Sequence, residues 1–490
     1  MDAAYKDISN LGKETPLQWD RFNTLISTIE KKLQNYESEP PLEITPNVEF
    51  ELTEICSKFH FSIVNADLES TKIWIHQFYS YSYQNVISDL QELHSNFIIP
   101  DINIIIANEV NVFDLEMRQK AIEIIYNLIN TTTEVSEVFL HCNTIQLLSD
   151  FIISNDELSS LHFSALKCIR KFSSHCENCQ ERVCECFPLN FFEKHLSTLS
   201  NDRKVDRIHI EIFSILKSVS KFELHPELIE YIFNIFDYFI DFSDDILTIC
   251  LLGIFNLTKV QDPLFWSAPL KKSRLPIILS NSLNHPDFTI SQSTLLLIAS
   301  IYQQKQEIPH FNLGLIVDKL HYKDEENMNQ NSLVRYYASA TLYEIVKGDK
   351  EYIHIIIANH FLDAFKDVFD DSPFDVKFEL IRSLEEIAIN GYPADKLELI
   401  KNNFIHYFIE MIEIGNDEQI VRLIDSLGNL FAIVLNDPNN QKICFESFRN
   451  TPNNIVIKDC ALNPFPEVSG RAIQLLSLID TIYGKISNVC

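Results

Sequence analysis

Glycine is scarce in this chain, and so is positive charge. Only 9 of the 490 residues are glycine, and neither G-x-x-x-x-G-K-[ST] nor G-x-G-x-x-G occurs. Lysine and arginine number 40 against 69 aspartates and glutamates, which gives a formal net charge of -29. A field of this sign repels phosphate backbones and anionic headgroups, so we expect no nucleic-acid partner.

Long apolar runs and an export signal are also missing. The first residues, MDAAYKDISN, lack a basic stretch followed by an apolar one. No uncharged apolar stretch reaches the roughly 18 residues that a membrane span needs. We therefore expect no membrane insertion and a location in the cytoplasm or the nucleus, where the eleven cysteines stay reduced.

Signatures of catalysis are absent as well. The sequence has no H-E-x-x-H and no G-x-S-x-G, and the acidic stretch KDEENMNQN lacks the spaced ligands and turn glycine of a calcium loop. We expect a protein that is not an enzyme, with no catalytic residues, no cofactor and no metal. An enzyme with an unfamiliar site is the remaining alternative.

Helical periodicity is what the sequence does have. Apolar residues recur at helical spacing almost everywhere from about position 50, and strand-like alternation is hard to find. Residues 1–37 hold an amphipathic helical segment. Residues 38–48 include three prolines, which cannot continue a helix, and form a linker. Residues 49–490 are predicted to form a repeat solenoid.

One pattern returns nine times in residues 49–490. Its anchors are Ala121, Ala165, Glu211, Cys250, Thr294, Thr341, Leu380, Leu423 and Ala472. From 121 to 472 is 351 positions in eight steps, about 44 each, within the roughly 40 to 47 residues of an armadillo or HEAT unit. The residues one and four positions after every anchor are Ile or Leu. We predict about nine to ten repeats, whose helices bury one face against their neighbours.

The units resemble armadillo repeats. Three anchored helices carry the Asn that armadillo proteins place six residues after the anchor, namely Asn127, Asn256 and Asn429. The resemblance covers roughly residues 50–490. It implies an all-α fold, a right-handed α-solenoid in which a short first helix, a second helix and a longer third helix form each repeat. The third helices of such a solenoid line a concave groove.

Two departures from the family pattern are visible. Importin-alpha-type armadillo proteins place a Trp four residues before that Asn, where this chain has Glu123, Leu252 and Asp425, so the clamp for an extended basic peptide is absent. Asn143 and Phe187 stand where armadillo units turn on a Gly. Asn tolerates a left-handed conformation and Phe much less so. A looser HEAT-like unit of two helices therefore stays an alternative.

Four cysteines cluster in SHCENCQERVCECF, at Cys176, Cys179, Cys184 and Cys186. Counted from the anchors, the last three match Val135, Leu140 and Cys142 of the preceding repeat. Free Cys behaves as a small buried hydrophobe, and the C-x2-C-x4-C-x-C spacing leaves too little chain for an ordinary zinc site. We predict a helix whose thiols pack in the core, with a metal site as the alternative.

The candidate binding surface follows from the register of the third helices. Positions two and six after each anchor share a face, one turn apart, away from the buried stripe. The predicted partner-binding residues are Asn127, Lys167, Lys171, Phe213, Lys217, Leu252, Asn256, Leu296, Tyr343, Lys347 and Asn429. We call Lys167, Lys171 and Lys217 the basic spot. We call Phe213, Leu252, Leu296 and Tyr343 the apolar row.

Two interpretations of this face are open. If the apolar row is exposed, it can hold apolar anchors of a partner while the basic spot meets its acidic residues. If the helices pack more tightly, the row is ordinary core. The sequence predicts a non-enzymatic scaffold or adaptor that binds a peptide or partner helix in the groove. The alternative is a HEAT-like regulatory or transport-receptor-type subunit that embraces a folded partner.

Overall fold

The computed structural model describes residues 52–84, 97–108, 111–129, 133–154, 159–175, 177–187, 191–192, 194–196, 205–323, 328–452 and 454–487. Regular secondary structure in these ranges is helical, without strands. The predicted amphipathic segment 1–37 and linker 38–48 lie outside them. No described helix combines the length and the hydropathy that a membrane-spanning segment requires.

The chain divides between Pro269 and Leu270 into two compact units. We call them the N-terminal unit and the C-terminal unit. Described helices of the N-terminal unit are α1 (Leu52–Val64), α2 (Leu68–Gln84), α3 (Ile98–Ala107), α4 (Leu115–Ile129), α5 (Thr133–His141), α6 (Thr144–Ile153), α7 (Ser160–His175), α8 (Glu177–Cys186), α9 (Arg207–Val219), α10 (Pro226–Phe239) and α11 (Asp244–Val260). Helix α12 (Pro263–Lys272) crosses the division.

Helices of the C-terminal unit continue the same order. They are α13 (Leu275–Leu283), α14 (Phe288–Gln303), α15 (Gly314–Asp318) with a 3-10 turn (Lys319–His321), α16 (Met328–Val346), α17 (Lys350–Ala358), α18 (Phe361–Phe369), α19 (Phe374–Asn390), α20 (Pro393–Lys401), α21 (Ile405–Ile414), α22 (Asp417–Val434), α23 (Pro438–Asn450), α24 (Val456–Cys460) and α25 (Pro466–Ser487).

The repeating unit is two short helices followed by a long one. The sets α5–α6–α7, α17–α18–α19, α20–α21–α22 and α23–α24–α25 follow this order, which is the three-helix unit implied by the armadillo resemblance. Two repeats depart from it in the residues that the structure describes. A single helix, α10, precedes α11, and α15 with its 3-10 turn is all that precedes α16.

The long third helices pack against one another along each unit. In the N-terminal unit α2, α4, α7, α9 and α11 pack in succession, and in the C-terminal unit α14, α16, α19, α22 and α25 do the same. Several begin at a capping side chain that accepts a backbone N–H, such as Asp206 before α9 and Asn416 before α22. Up to α22, the predicted Ile and Leu positions one and four after the anchors are all at most 2% exposed. The predicted stripe is thus the core.

The turns between first and second helices replace glycine with other residues. Asn143, His360 and Asn403 lie in these turns with φ of 56°, 64° and 61°. Asn143, at the position where armadillo units turn on a Gly, adopts the left-handed conformation that Asn tolerates. Phe187 does not adopt it, as expected for a bulky side chain.

Candidate partner-binding surface

Three accessible residues of the predicted surface lie on α4 and α7 of the N-terminal unit. Asn127, Lys167 and Lys171 are all partly exposed there. The Asn127 side chain donates a hydrogen bond to Ser82 Oγ on α2 at 3.2 Å. The amide is thereby oriented by the neighbouring third helix, while its face remains open to solvent.

Lys167 is held by aromatic rings rather than by a carboxylate. Its Nζ lies 5.7 Å from the ring centroid of Tyr126 on α4 and 5.1 Å from that of Phe163 on its own helix. Contacts of this kind stabilise an exposed cation by about 0.5–1 kcal/mol. Both rings are partly exposed, so the ammonium and the two rings form one amphipathic surface.

Polar contacts next to this surface join the third helices. Gln119 on α4 donates to Glu123 at 2.6 Å and to Ser164 on α7 at 2.7 Å. Arg170 Nε lies 2.8 Å from the Glu211 carboxylate on α9. These contacts fix the spacing of α4, α7 and α9, and so the distance between groups that a partner would meet.

Lys217 and Asn256 are less accessible than predicted. They are 7% and 8% exposed, and the Asn256 side chain donates to the Lys217 backbone carbonyl at 3.0 Å. In armadillo proteins this Asn is expected to bond the backbone of a bound peptide. Here it bonds the adjacent third helix, because α9 and α11 approach closely at this level.

The apolar row is interior, which corrects the interpretation that its side chains see solvent. Phe213, Leu252, Leu296 and Tyr343 are 0%, 2%, 1% and 2% exposed. The ring of Phe213 packs edge-on against Phe239 at 5.6 Å between centroids. The alternative of ordinary core therefore describes these four residues, and they offer no surface to a partner.

In the C-terminal unit, Lys347 and Asn429 are exposed as predicted. Lys347 Nζ lies 5.5 Å from the centroid of the Tyr343 ring. The Asn429 side chain donates to the Asp425 carbonyl of its own helix at 2.9 Å. Whether any of the eleven residues contacts a partner stays a prediction.

A buried charge cluster in the C-terminal unit was missed by sequence reasoning. Arg382 stacks on Tyr343 with 3.7 Å from the guanidinium carbon to the ring centroid, and it pairs with Glu379 at 3.1 Å. On the same helix Glu385 pairs with Arg422 of α22 at 3.1 Å. Burial raises the pKa of Glu385 to about 7, and this effect outweighs the opposite influence of the positive charges on Arg422 and Arg382.

The composition of α19 is the sequence feature that could have indicated this cluster. The stretch KFELIRSLEEIAI places three glutamates and one arginine within a helix that also carries the buried stripe. A helix of that pattern can bury charge only if the next repeat supplies counter-ions, as Arg422 does.

The cysteine cluster forms a helix, as predicted. Cys179, Cys184 and Cys186 lie on α8, which begins 44 positions after α5. The thiol of Cys179 is buried and donates to the Ser136 carbonyl at 3.9 Å, and Cys186 is 7% exposed. Burial raises the pKa of Cys184 to about 11. Cys176 lies outside the described residues.

No group of three or more metal-ligating side chains comes together in the ranges that the structure describes. The comparisons with known proteins add no catalytic function. No family model matches the chain, and no curated protein matches it.

The solved structures give the fold. The crystal structure of an engineered protein is similar, with a TM-score of 0.67 and 13% identity over 87% of this chain and 99% of that one. This likeness and the helical units described above show an all-α fold of stacked repeats. A designed armadillo repeat protein is similar over 50% of this chain and 98% of its own, with 16% identity and a TM-score of 0.42. The helices of the described residues and the likeness to the engineered protein confirm the predicted all-α repeat fold.

Proposed function

We propose that the chain is a non-enzymatic scaffold that binds an acidic segment of a partner protein on α4 and α7 of the N-terminal unit. The observation that carries this proposal is the cation held between two partly exposed aromatic rings, with Lys167 over Tyr126 and Phe163. Lys171 lies one turn further along the same helix face.

The charge of the chain makes such a spot unusual. With a net charge of -29, most of the surface repels an acidic partner, so a local pair of lysines decides where it can dock. The neighbouring rings supply apolar area, and aromatic residues carry a large share of the energy in protein interfaces. Asn127, oriented by Ser82, offers an amide oxygen for the backbone of an extended segment.

This proposal narrows the prediction made from the sequence. It retains Asn127, Lys167 and Lys171 as contact residues and adds Tyr126 and Phe163. Lys217 and the four residues of the apolar row are left out because they are buried. Binding in the cytoplasm or the nucleus, by a peptide or a partner helix, remains part of the proposal.

The test is a comparison of captured proteins. The tagged full chain, the Lys167→Glu/Lys171→Glu variant and the control Lys271→Glu/Lys272→Glu variant are used to isolate partners from native lysate for quantitative mass spectrometry. The two variants change the net charge equally, and the control lysines are exposed on α12.

A partner retained by the control and lost by the first variant supports the proposal. The rate at which this partner associates with the wild-type chain should also fall as the salt concentration rises. For the Lys167→Glu/Lys171→Glu variant, most of that salt dependence should be lost, because such charges act through electrostatic steering. Equal capture by all three proteins would contradict it.

A further inference from the structure

A carboxylate lies beside the lysines of the proposed contact surface, on the same face of the third helices. Glu123 on α4 is partly exposed and accepts a hydrogen bond from Gln119, which also donates to Ser164 on α7. Ser164 precedes Lys167 by about one turn of that helix. Glu123 and Lys167 each stand two positions after their anchor, so they face the same side of adjacent helices.

This carboxylate has no cation of the chain beside it. Within the described ranges, no lysine, arginine or histidine lies within ion-pair distance of Glu123, and Lys120 on the same helix pairs with Glu116 instead, at 2.6 Å. Lys167 in turn lies over two aromatic rings. A carboxylate can accept about four hydrogen bonds, so Glu123 keeps room for a further donor. One surface thus offers a cation and an anion that are not paired with each other.

Two tyrosines of α2 extend this surface on the side of α4 that lies opposite α7. Burial and the charge of Glu123 raise the pKa of Tyr79 to about 12, so its hydroxyl keeps its proton and donates to that carboxylate. Tyr83, one turn further, is 51% exposed, and the centroids of the two rings are 6.5 Å apart. The faces of such rings attract cations, and a nearby carboxylate adds to the attraction. We call Tyr79, Tyr83 and Glu123 the tyrosine–glutamate site.

We propose that the segment bound by this surface carries a Lys or Arg near its acidic residue, and that this cation occupies the tyrosine–glutamate site while the acidic residue meets Lys167 and Lys171. The inference rests on the proposed function and specifies the partner further. A segment that is only acidic brings negative charge towards Glu123, and this repulsion selects against it.

The spacing of the helices fixes the spacing of the partner's charges. Packed helices lie about 8–10 Å apart, and an extended chain covers that distance with about three residues. The basic and the acidic residue of the partner should therefore stand about three positions apart. The basic residue lies over α2 and α4, and the acidic residue lies over α7.

The probe is a display library of random dodecapeptides, selected on the full chain and read by sequencing. The wild type should enrich peptides with a basic and an acidic residue about three positions apart. Glu123→Gln should lose the preference for the basic residue and keep that for the acidic one, and Lys167→Glu/Lys171→Glu should lose the acidic preference. Glu227→Gln, at an exposed position on α10, is the matched control and should keep both preferences.

An enriched peptide then allows the contact itself to be measured. The strongest peptide is synthesised with a fluorescent label, together with a version that has Gln in place of its basic residue. The wild type should bind the Gln version about fivefold more weakly, because an exposed ion pair and a cation–π contact are both lost. Glu123→Gln should bind the two versions nearly equally, which is the coupling that a double-mutant cycle detects. Tyr83→Ala should also reduce the ratio, and circular dichroism reports that each variant is folded.

The outcomes separate this inference from the proposed function. Enrichment of acidic peptides without a basic preference would overturn the inference and leave the proposed function standing. Enrichment of basic residues alone, or of neither charge, would overturn both. The same affinity ratio for the wild type and Glu123→Gln, or an equal loss of preference in Glu227→Gln, would show that the tyrosine–glutamate site does not receive the cation.

Discussion

At the scale of single residues, the turns between first and second helices show how this chain manages with few glycines. His360 adopts φ of 64° between α17 and α18, a conformation that costs an L-residue about 1–2 kcal/mol. Asn143 and Asn403 adopt similar angles at a smaller cost, since Asn tolerates them. The path of the main chain between the two helices requires a positive φ, and these residues adopt it although they are not glycine.

Replacing His360 by Gly should therefore stabilise the protein by about 0.5–1 kcal/mol. Release of the backbone strain stabilises the folded state, and the extra conformational entropy that Gly gives the unfolded chain offsets part of this gain. Asn143→Gly should increase the folding stability by a smaller amount. The measurement is the urea midpoint of unfolding followed by circular dichroism. Asp367→Gly, at an exposed position inside α18, is the control and should cost about 1 kcal/mol. A loss of stability for His360→Gly comparable to that of the control would contradict this account.

At the scale of helices, the period of the sequence was enough to predict the core. The 44-residue spacing located the third helices, and the Ile and Leu positions beside their anchors are buried up to α22. Asn143 marked a left-handed turn. These features are local, since each follows from helical geometry within one repeat.

The binding face could not be predicted in the same way. Phe213 and Lys217 occupy the same register positions as Glu123 and Asn127, yet the first pair is buried and the second partly exposed. The difference depends on how closely successive third helices approach, as the Asn256 bond to the Lys217 carbonyl shows. That distance is a tertiary property, which the helical period does not contain.

The contact between α19 and α22 leads to a prediction of how folding stability depends on pH. The pKa of Glu385 is raised to about 7 in the folded chain from an ordinary 4.5, and burial is the main cause. Burial also raises the pKa of Glu344 on the preceding third helix. The folded protein therefore holds protons that the unfolded chain releases. This contribution to stability is complete below about pH 4.5 and is lost as the pH rises through 7.

Glu385→Gln keeps the shape of the side chain and cannot ionise. We expect its melting temperature to fall less steeply than that of the wild type between pH 5 and 7.5, measured by calorimetry. Glu413→Gln, at an exposed site on α21, serves as the control and should keep the wild-type slope. Parallel curves for wild type and Glu385→Gln would show that Glu385 is ionised throughout.

At the scale of the whole molecule, the dominant feature is the net charge of -29. Like charges repel one another in the compact chain, and the repulsion is relieved on unfolding. Exposed ion pairs such as Lys72–Glu116, at 3.3 Å, act in the opposite direction, but each is worth only about 0–1 kcal/mol. The excess of acidic groups should therefore decide how the protein responds to salt.

Raising NaCl from 0.05 to 0.5 M at pH 8 should increase the melting temperature, because the Debye length shrinks from more than 10 Å to less than half of that and screens the repulsion. A gain of about 1 kcal/mol would correspond to roughly 2–4 °C for domains of 150–250 residues. At pH 5, close to the sequence pI of about 4.9, the same salt step is the control. There the net charge is small and the increase should vanish, which separates screening from any general effect of NaCl on hydration. An equal increase at both pH values would mean that repulsion among the acidic residues does not limit the stability of this repeat array.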